Sequence, residues 1–252
     1  MGRLVVFVFV LFTSLFVNAN DSSKHANSEI LYFDLGIEGR WVPYQRGANS
    51  GSYGVFKEVT DAIAKHANLT FDHVYFPAKR AQKALIDGLI DFEFISLAWL
   101  KGSQPGEDFV VSQPIFEVQE YIVTLEGNGE NFEKPHSYYD HAVGTIDGYF
   151  YHDDDKFKRH DFSTESELIQ ALGKGRVRVA ILEKETAKFW ASVHGVSLEF
   201  TSLHSRGDLL IRLRNEKQQF MPLINFGITK IKQSGELAKI LSSHDIDPAV
   251  IH

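Results

Sequence analysis

The sequence predicts an α/β fold built as two successive units, each a mostly parallel sheet flanked by helices. Three observations predict it. Apolar strand-like runs alternate with amphipathic helical stretches at the spacing of right-handed crossovers. The alternation begins near residue 29, breaks off, and restarts at Gln119. The chain is also large, 252 residues with 44% hydrophobic and 23% charged residues and no cysteine, so its core has to hold without disulfides.

The N-terminus comes first. Arg3 is a positive start, Leu4 to Val17 an almost unbroken apolar run, and Val17-Asn18-Ala19 a small-residue cleavage site. This pattern predicts a secretory signal peptide over residues 1–19, removed after Ala19. The run is shorter than the roughly 20 apolar residues of a relaxed membrane span, which makes an uncleaved anchor the weaker reading. Without cysteine, the lipoprotein route is closed. Residues 20–28 are polar and aperiodic and read as a loose mature N-terminus.

In the first unit, Glu29 to Leu35 reads as a buried strand, because Ile30 to Phe33 is too densely apolar for an alternating surface strand. A loop with Trp41, Pro43 and Tyr44 follows, then a glycine-rich stretch from Gly47 to Gly54. Val55, Val59, Ile63 and Ala67 share one helical stripe, which predicts a helix over 55–67. Phe71 to Phe76 is a strand closed by Pro77. Lys79 to Gly88 is a short helix with Gly88 as C-cap, and Ile90 to Leu97 is the third strand.

In the second unit, Gln119 to Leu125 and Ala142 to Ile146 are strands, the latter running into Gly148. Ser163 is the expected N-cap of a helix over 165–172, with Glu167 near the capping-box position. Val177 to Leu182 is a strand, Glu185 to Val193 a helix, and Ser197 to Thr201 and Asp208 to Leu213 two further strands. Helices over 220–234 and 236–243 end the chain.

Several segments, in order, carry a family likeness: Trp41-Val42-Pro43-Tyr44; Gly54-Val55-Phe56-Lys57-Glu58-Val59; Leu85-Ile86-Asp87-Gly88-Leu89-Ile90-Asp91; Ser112-Gln113-Pro114-Ile115-Phe116; Val143-Gly144-Thr145-Ile146-Asp147-Gly148; and the closing stretch Lys230 to Ile240. In these the chain resembles the bacterial extracellular solute-binding proteins of family 3, the amino-acid-binding type. The resemblance implies a periplasmic-binding-protein type II fold. Two lobes would be joined by two hinge strands, with lobe 1 at residues 28–119 plus 206–252 and lobe 2 at 120–205. A ligand would sit in the cleft between them and be enclosed by hinge closure.

Ligands of open α/β sheets bind beyond the carboxyl ends of strands. There, Trp41 and Tyr44 offer aromatic stacking, against the alternative of packing the lobe surface. Arg80, after Pro77, can clamp a carboxylate, or else lie solvated on the first helical turn. The turn Gly144 to Gly148, with Thr145 inside it, presents backbone N–H groups to an anion, and Tyr149 follows as a cleft wall or a packed aromatic.

The resemblance adds Ser96 and Trp99 at the end of the third strand, and Glu183, just past the strand Val177 to Leu182, as the carboxylate facing an ammonium group, against the alternative of a solvated residue opening the Glu183-Lys184-Glu185 run. It also exposes a departure. The family's carboxylate-holding arginine after this strand is missing, since Lys101 is the only basic residue between Leu97 and Ser112. Arg80 or Lys101 would have to replace it, or the ligand lacks that carboxylate.

His152-Asp153-Asp154-Asp155, with His160 and Asp161, reads as a solvated charge run rather than a metal site. No nucleophile elbow, phosphate-binding loop or zinc-protease motif occurs. The expectation is therefore a monomeric periplasmic binding protein without cofactor, metal or catalysis. It would take a small polar ligand and serve an inner-membrane ABC permease. The net charge of −7 disfavours nucleic acid. A sensor acting in trans and a small-molecule lyase on the same scaffold are the alternatives.

Overall fold

The computed structural model describes residues 1–2, 29–47 and 53–252. Apart from Met1 and Gly2, the expected signal peptide lies outside the described residues, as does the stretch 20–28.

One continuous sheet runs through the molecule. In the first lobe β1 (Ile30–Asp34) pairs in parallel with β2 (Thr70–Val74) and β3 (Phe92–Ser96). Helices α1 (Val55–Ala67) and α2 (Ala78–Asp87) make the crossovers. β4 (Phe109–Val111) is a short strand that the sequence reading does not contain. β5 (Phe116–Leu125) then leads into the second lobe.

There β6 (Ala142–Ile146) pairs in parallel with β7 (Lys158–Phe162) and β8 (Val179–Glu183). α3 (Glu165–Gly173) and α4 (Lys184–His194) accompany them. β9 (Leu198–Arg214) carries the chain back, where α5 (Met221–Gln233) and α6 (Glu236–Ser243) rejoin the first lobe.

The spatial order is β2-β1-β3-β9-β5-β8-β6-β7, with β4 also on β9. Parallel pairing is confined to the three outer strands of each lobe. β5 and β9 are antiparallel to each other and to their neighbours β8 and β3, because a chain that crosses between lobes twice must leave in one direction and return in the other. Their register slips between Glu120 and Val123, the mark of a bulge in the crossing pair. β9 is also one strand of 17 residues where the sequence suggests two: His204 to Gly207 breaks the apolar pattern but not the ladder.

Each lobe has its own core. In the first, Phe33, Phe56, Ile63, Phe92, Ile211 and Ile228 are fully buried together. α5 packs on α1 in this core, which ties the C-terminal segment to the first lobe. In the second, Leu168, Leu172 and Ala180 fill one face of the sheet, and Val143, Val179 and Ile181 the other. No helix among the described residues is long and apolar enough to cross a membrane.

Candidate functional site

The carboxyl ends of β1, β3, β6 and β8 converge on a cavity of about 90 Å³ between the lobes. From the first lobe come Asp34, Arg40, Trp41, Gln45 and Trp99, with Ala78, Ala81 and Gln82 of α2. From the second come Gly148 to Tyr151, Glu165 and Glu183, and Glu120 joins from the crossing strands.

The lobes touch directly around this space. The Trp41 N–H donates to Glu165 Oε2 at 3.1 Å, and the Tyr44 hydroxyl to Glu183 Oε1 at 3.1 Å. Arg40 Nη2 donates to the Tyr149 hydroxyl at 3.4 Å, and that hydroxyl donates to Glu165 Oε1 at 2.7 Å. The Arg40 guanidinium also lies 5.3 Å from the Tyr149 ring centre. Gln82 Nε2 donates to the Gly148 carbonyl, and the Ser166 N–H to the Gly39 carbonyl at 3.2 Å. Gly148 sits at φ +87°, with Lys79 N only 2.5 Å from where a Cβ would stand, so glycine is required where the second lobe meets α2.

The cavity is strongly acidic. Asp34, Glu93, Glu120, Glu165 and Glu183 face it, and Arg40 is the one basic lining residue among the described residues. Burial pushes the Asp34 carboxyl up to about 6, against the opposing pull of Arg40 and of the Phe76 and Gly36 N–H groups. Burial pushes Glu183 up to about 7, even though the Thr186 N–H donates to it at 2.9 Å at the start of α4. Glu165 and Glu93 are raised for the same reason, each held back by an arginine, Arg40 and Arg212 respectively. For Arg40, burial works against the charge, but Tyr149, Glu165 and Asp34 together keep its pKa above the ordinary value. Arg40 Nε and Gln45 Oε1 are buried without a protein partner, leaving one donor and one acceptor unused beside the space.

Of the residues expected from the sequence, Trp41, Trp99, Tyr149 and Glu183 line the cavity. Tyr44 is fully buried behind it and reaches it through Glu183. Ser96 is buried with an unpartnered hydroxyl close to Gly207, off the lining. Thr145 is buried too, its hydroxyl donating to Asp161 at 2.7 Å rather than facing the cleft.

Arg80 is exposed on α2 and does not reach the cavity. Helical spacing turns Ala78, Ala81 and Gln82 inward and Arg80 out. Lys101 is exposed as well and pairs with Asp155 at 3.2 Å. The guanidinium that does line the cavity, Arg40, immediately precedes the aromatic loop, and only that adjacency signalled it. Glu165 read simply as the first residue of a helix, although a helix N-terminus at the carboxyl end of a sheet is itself a pointer to a site.

The N-cap of α3 is Thr164 rather than Ser163. Thr164 Oγ1 accepts from the Glu167 N–H at 3.2 Å, and the Glu167 carboxylate accepts from the Ser163 N–H. The acidic run after Tyr151 divides: Asp154 and Asp155 are exposed and paired with Arg159 and Lys101, whereas Asp153 turns inward.

Comparison with known proteins agrees with this architecture. The sequence profile of the bacterial extracellular solute-binding proteins, family 3, matches residues 33–244. No curated protein matches by sequence. Among solved structures, an arginine 3rd transport system periplasmic binding protein from Legionella pneumophila superposes with a TM-score of 0.68 at 15% identity, covering 85% of this chain and 99% of that one. The GluR0 ligand-binding core from Nostoc punctiforme in complex with L-glutamate gives 0.69 at 15% identity, covering 85% and 98%. A histidine kinase sensor domain with similarity to periplasmic binding proteins gives 0.75 at 14% identity, covering 89% and 100%. At these identities the likeness is one of fold.

Proposed function

The chain belongs to the bacterial extracellular solute-binding proteins of family 3, and on that footing we propose that it captures a small, ammonium-bearing polar solute, amino-acid-like in size, between its lobes. The observation that carries this reading is the acidic interlobe cavity, in which Asp34, Glu165 and Glu183 face Arg40 while Glu93 and Glu120 are paired with Arg212 and His204 behind it, walled by Trp41, Trp99 and Tyr149. A cation there is favoured by Coulomb attraction and by the aromatic faces. In this reading Glu183 and Glu165 receive the ammonium group. Arg40, with its free Nε, takes the place of the arginine missing after Leu97 and holds an anionic end if the solute has one.

The mechanism is differential affinity. The solute touches Trp41 and Arg40 on one side and Glu183 and Tyr149 on the other, so it binds the closed form better and shifts the hinge equilibrium. The hinge falls in β5 and β9, with the lobes dividing near residues 119–120 and 205–206. The protein works in the periplasm after export and hands the unaltered solute to an inner-membrane ABC permease. Similarity to a histidine kinase sensor domain supports a second reading, in which the closed form is read by a separate membrane protein.

A thermal-shift screen over amino acids, polyamines and organic acids tests the proposal. Stabilisation by an ammonium-bearing solute, lost in Glu183→Gln, is expected. Stabilisation by organic acids alone would overturn it.

A further inference from the structure

The inward turn of the acidic run brings together groups that the solute cavity does not use. The loop after β6 carries His152 and Asp153, and β9 carries His204 beside the bulge of the crossing strands. One ligand atom from each of these three residues lies within 4.8 Å of the others. The His204 side chain is fully buried, its Nδ1 3.2 Å from Glu120 Oε2 and its Nε2 2.9 Å from Asp153 Oδ1. Asp153 is steadied in turn by the Tyr138 hydroxyl, and Glu120 by the Ser205 hydroxyl at 2.6 Å. The His152 ring packs against His204 with centres 4.6 Å apart, and its Nδ1 is buried without a partner.

As a purely structural cluster, this arrangement wastes His152. An unsatisfied buried nitrogen is unfavourable, and this one belongs to a ring packed directly on His204 and its two carboxylates. We propose that His152, Asp153 and His204 form a binding site for one divalent transition-metal ion of the zinc type. Two imidazoles and one carboxylate select such an ion over magnesium or calcium, which prefer all-oxygen shells. Ligands about 2.0–2.1 Å from zinc stand roughly 3.3 Å apart in a tetrahedron, so donors that lie within 4.8 Å of one another close on the ion by up to about 1.5 Å, with water in the fourth position.

In the metal-bound form the His204 Nε2 lone pair goes to the metal, any proton on Nε2 passing to solvent, while the Nδ1–H donates to Glu120 Oε2. That carboxylate–histidine–metal chain, with Tyr138 on Asp153, is the outer support that orients ligands in metal sites.

The test takes the mature chain, purified without a histidine tag and stripped with a chelator, and titrates it with Co²⁺ and then Zn²⁺. One equivalent of Co²⁺ should produce visible d–d bands that one equivalent of Zn²⁺ abolishes. His152→Phe, which keeps the ring packing, should remove the bands and weaken Zn²⁺ by more than about 100-fold, beyond the loss of an outer partner. Tyr138→Phe should weaken it by about 10-fold. His160→Ala, at an exposed histidine of β7, should change nothing.

Imidazole NMR of the wild type provides a readout that no variant's folding can obscure: Zn²⁺ should shift the ring signals of His152 and His204 selectively. Absence of stoichiometric bands, bands that survive His152→Phe, or shifts at other histidines instead would overturn the proposal.

Discussion

Glu183 meets two opposed demands at one atom pair. Its carboxylate caps α4 through the Thr186 N–H and accepts the Tyr44 hydroxyl, yet burial raises it to about 7. A carboxyl whose folded pKa lies above its unfolded value stabilises the fold fully only below the unfolded pKa, and that stability is lost as pH rises through the folded one. The closed form should therefore lose stability between about pH 4.5 and 7. In Glu183→Gln, whose amide oxygen can still accept the cap hydrogen bond, that part of the slope should vanish in urea melts taken across the range. The same variant should lower solute affinity by at least about 10-fold, the scale of one lost charge-assisted bond. At this scale the sequence was half legible. Glu183, Trp41 and Tyr149 stand out because they follow strands, but Arg40 and Arg80 cannot be ranked without the phase of α2, which points Arg80 into solvent.

Elements were most legible where apolar periodicity is strong. The α1 stripe and β6 emerge at their observed bounds. β7 escapes because Lys158 to Phe162 is a polar edge strand, and β4 because three residues carry no pattern. The continuity of β9 escapes because His204 to Gly207 is polar where the strand passes the bulge against β5, so the apolar pattern stops while the strand goes on. The cap of α3 shows how little separates adjacent choices. Thr164→Ala should destabilise the protein by about 1 kcal/mol in urea melts, and Ser163→Ala by much less, since Ser163 contributes its backbone N–H alone. Gly148→Ala should cost about 1–2 kcal/mol in any state from its positive φ. The new methyl would also meet the Lys79 backbone across the contact between the lobes. Small-angle scattering should then find this variant extended at solute concentrations that compact the wild type.

For the whole molecule, pH should act in opposite directions on the closed fold and on its affinity for the solute. Asp34 at about 6 and Glu183 at about 7 are largely protonated at pH 5, so a cation then meets a less negative cavity. Affinity for an ammonium-bearing solute should fall as pH drops from 8 to 5 in calorimetric titrations, while the closed fold gains stability from these two groups over the same range. The two-lobed plan was legible because the α/β alternation restarts halfway along the chain. Which carboxylates share one cavity was not, since Asp34 and Glu93 come from one lobe, Glu165 and Glu183 from the other, and Glu120 from β5 between them, where it pairs with Glu183 across the ladder.

Equilibrium dialysis of the mature protein against ammonium-bearing solutes, with mass spectrometry of what is retained, tests this account most directly. It predicts saturation at one solute per chain and recovery of that solute unchanged. Conversion of the solute, or retention of none that carries an ammonium group, would contradict it.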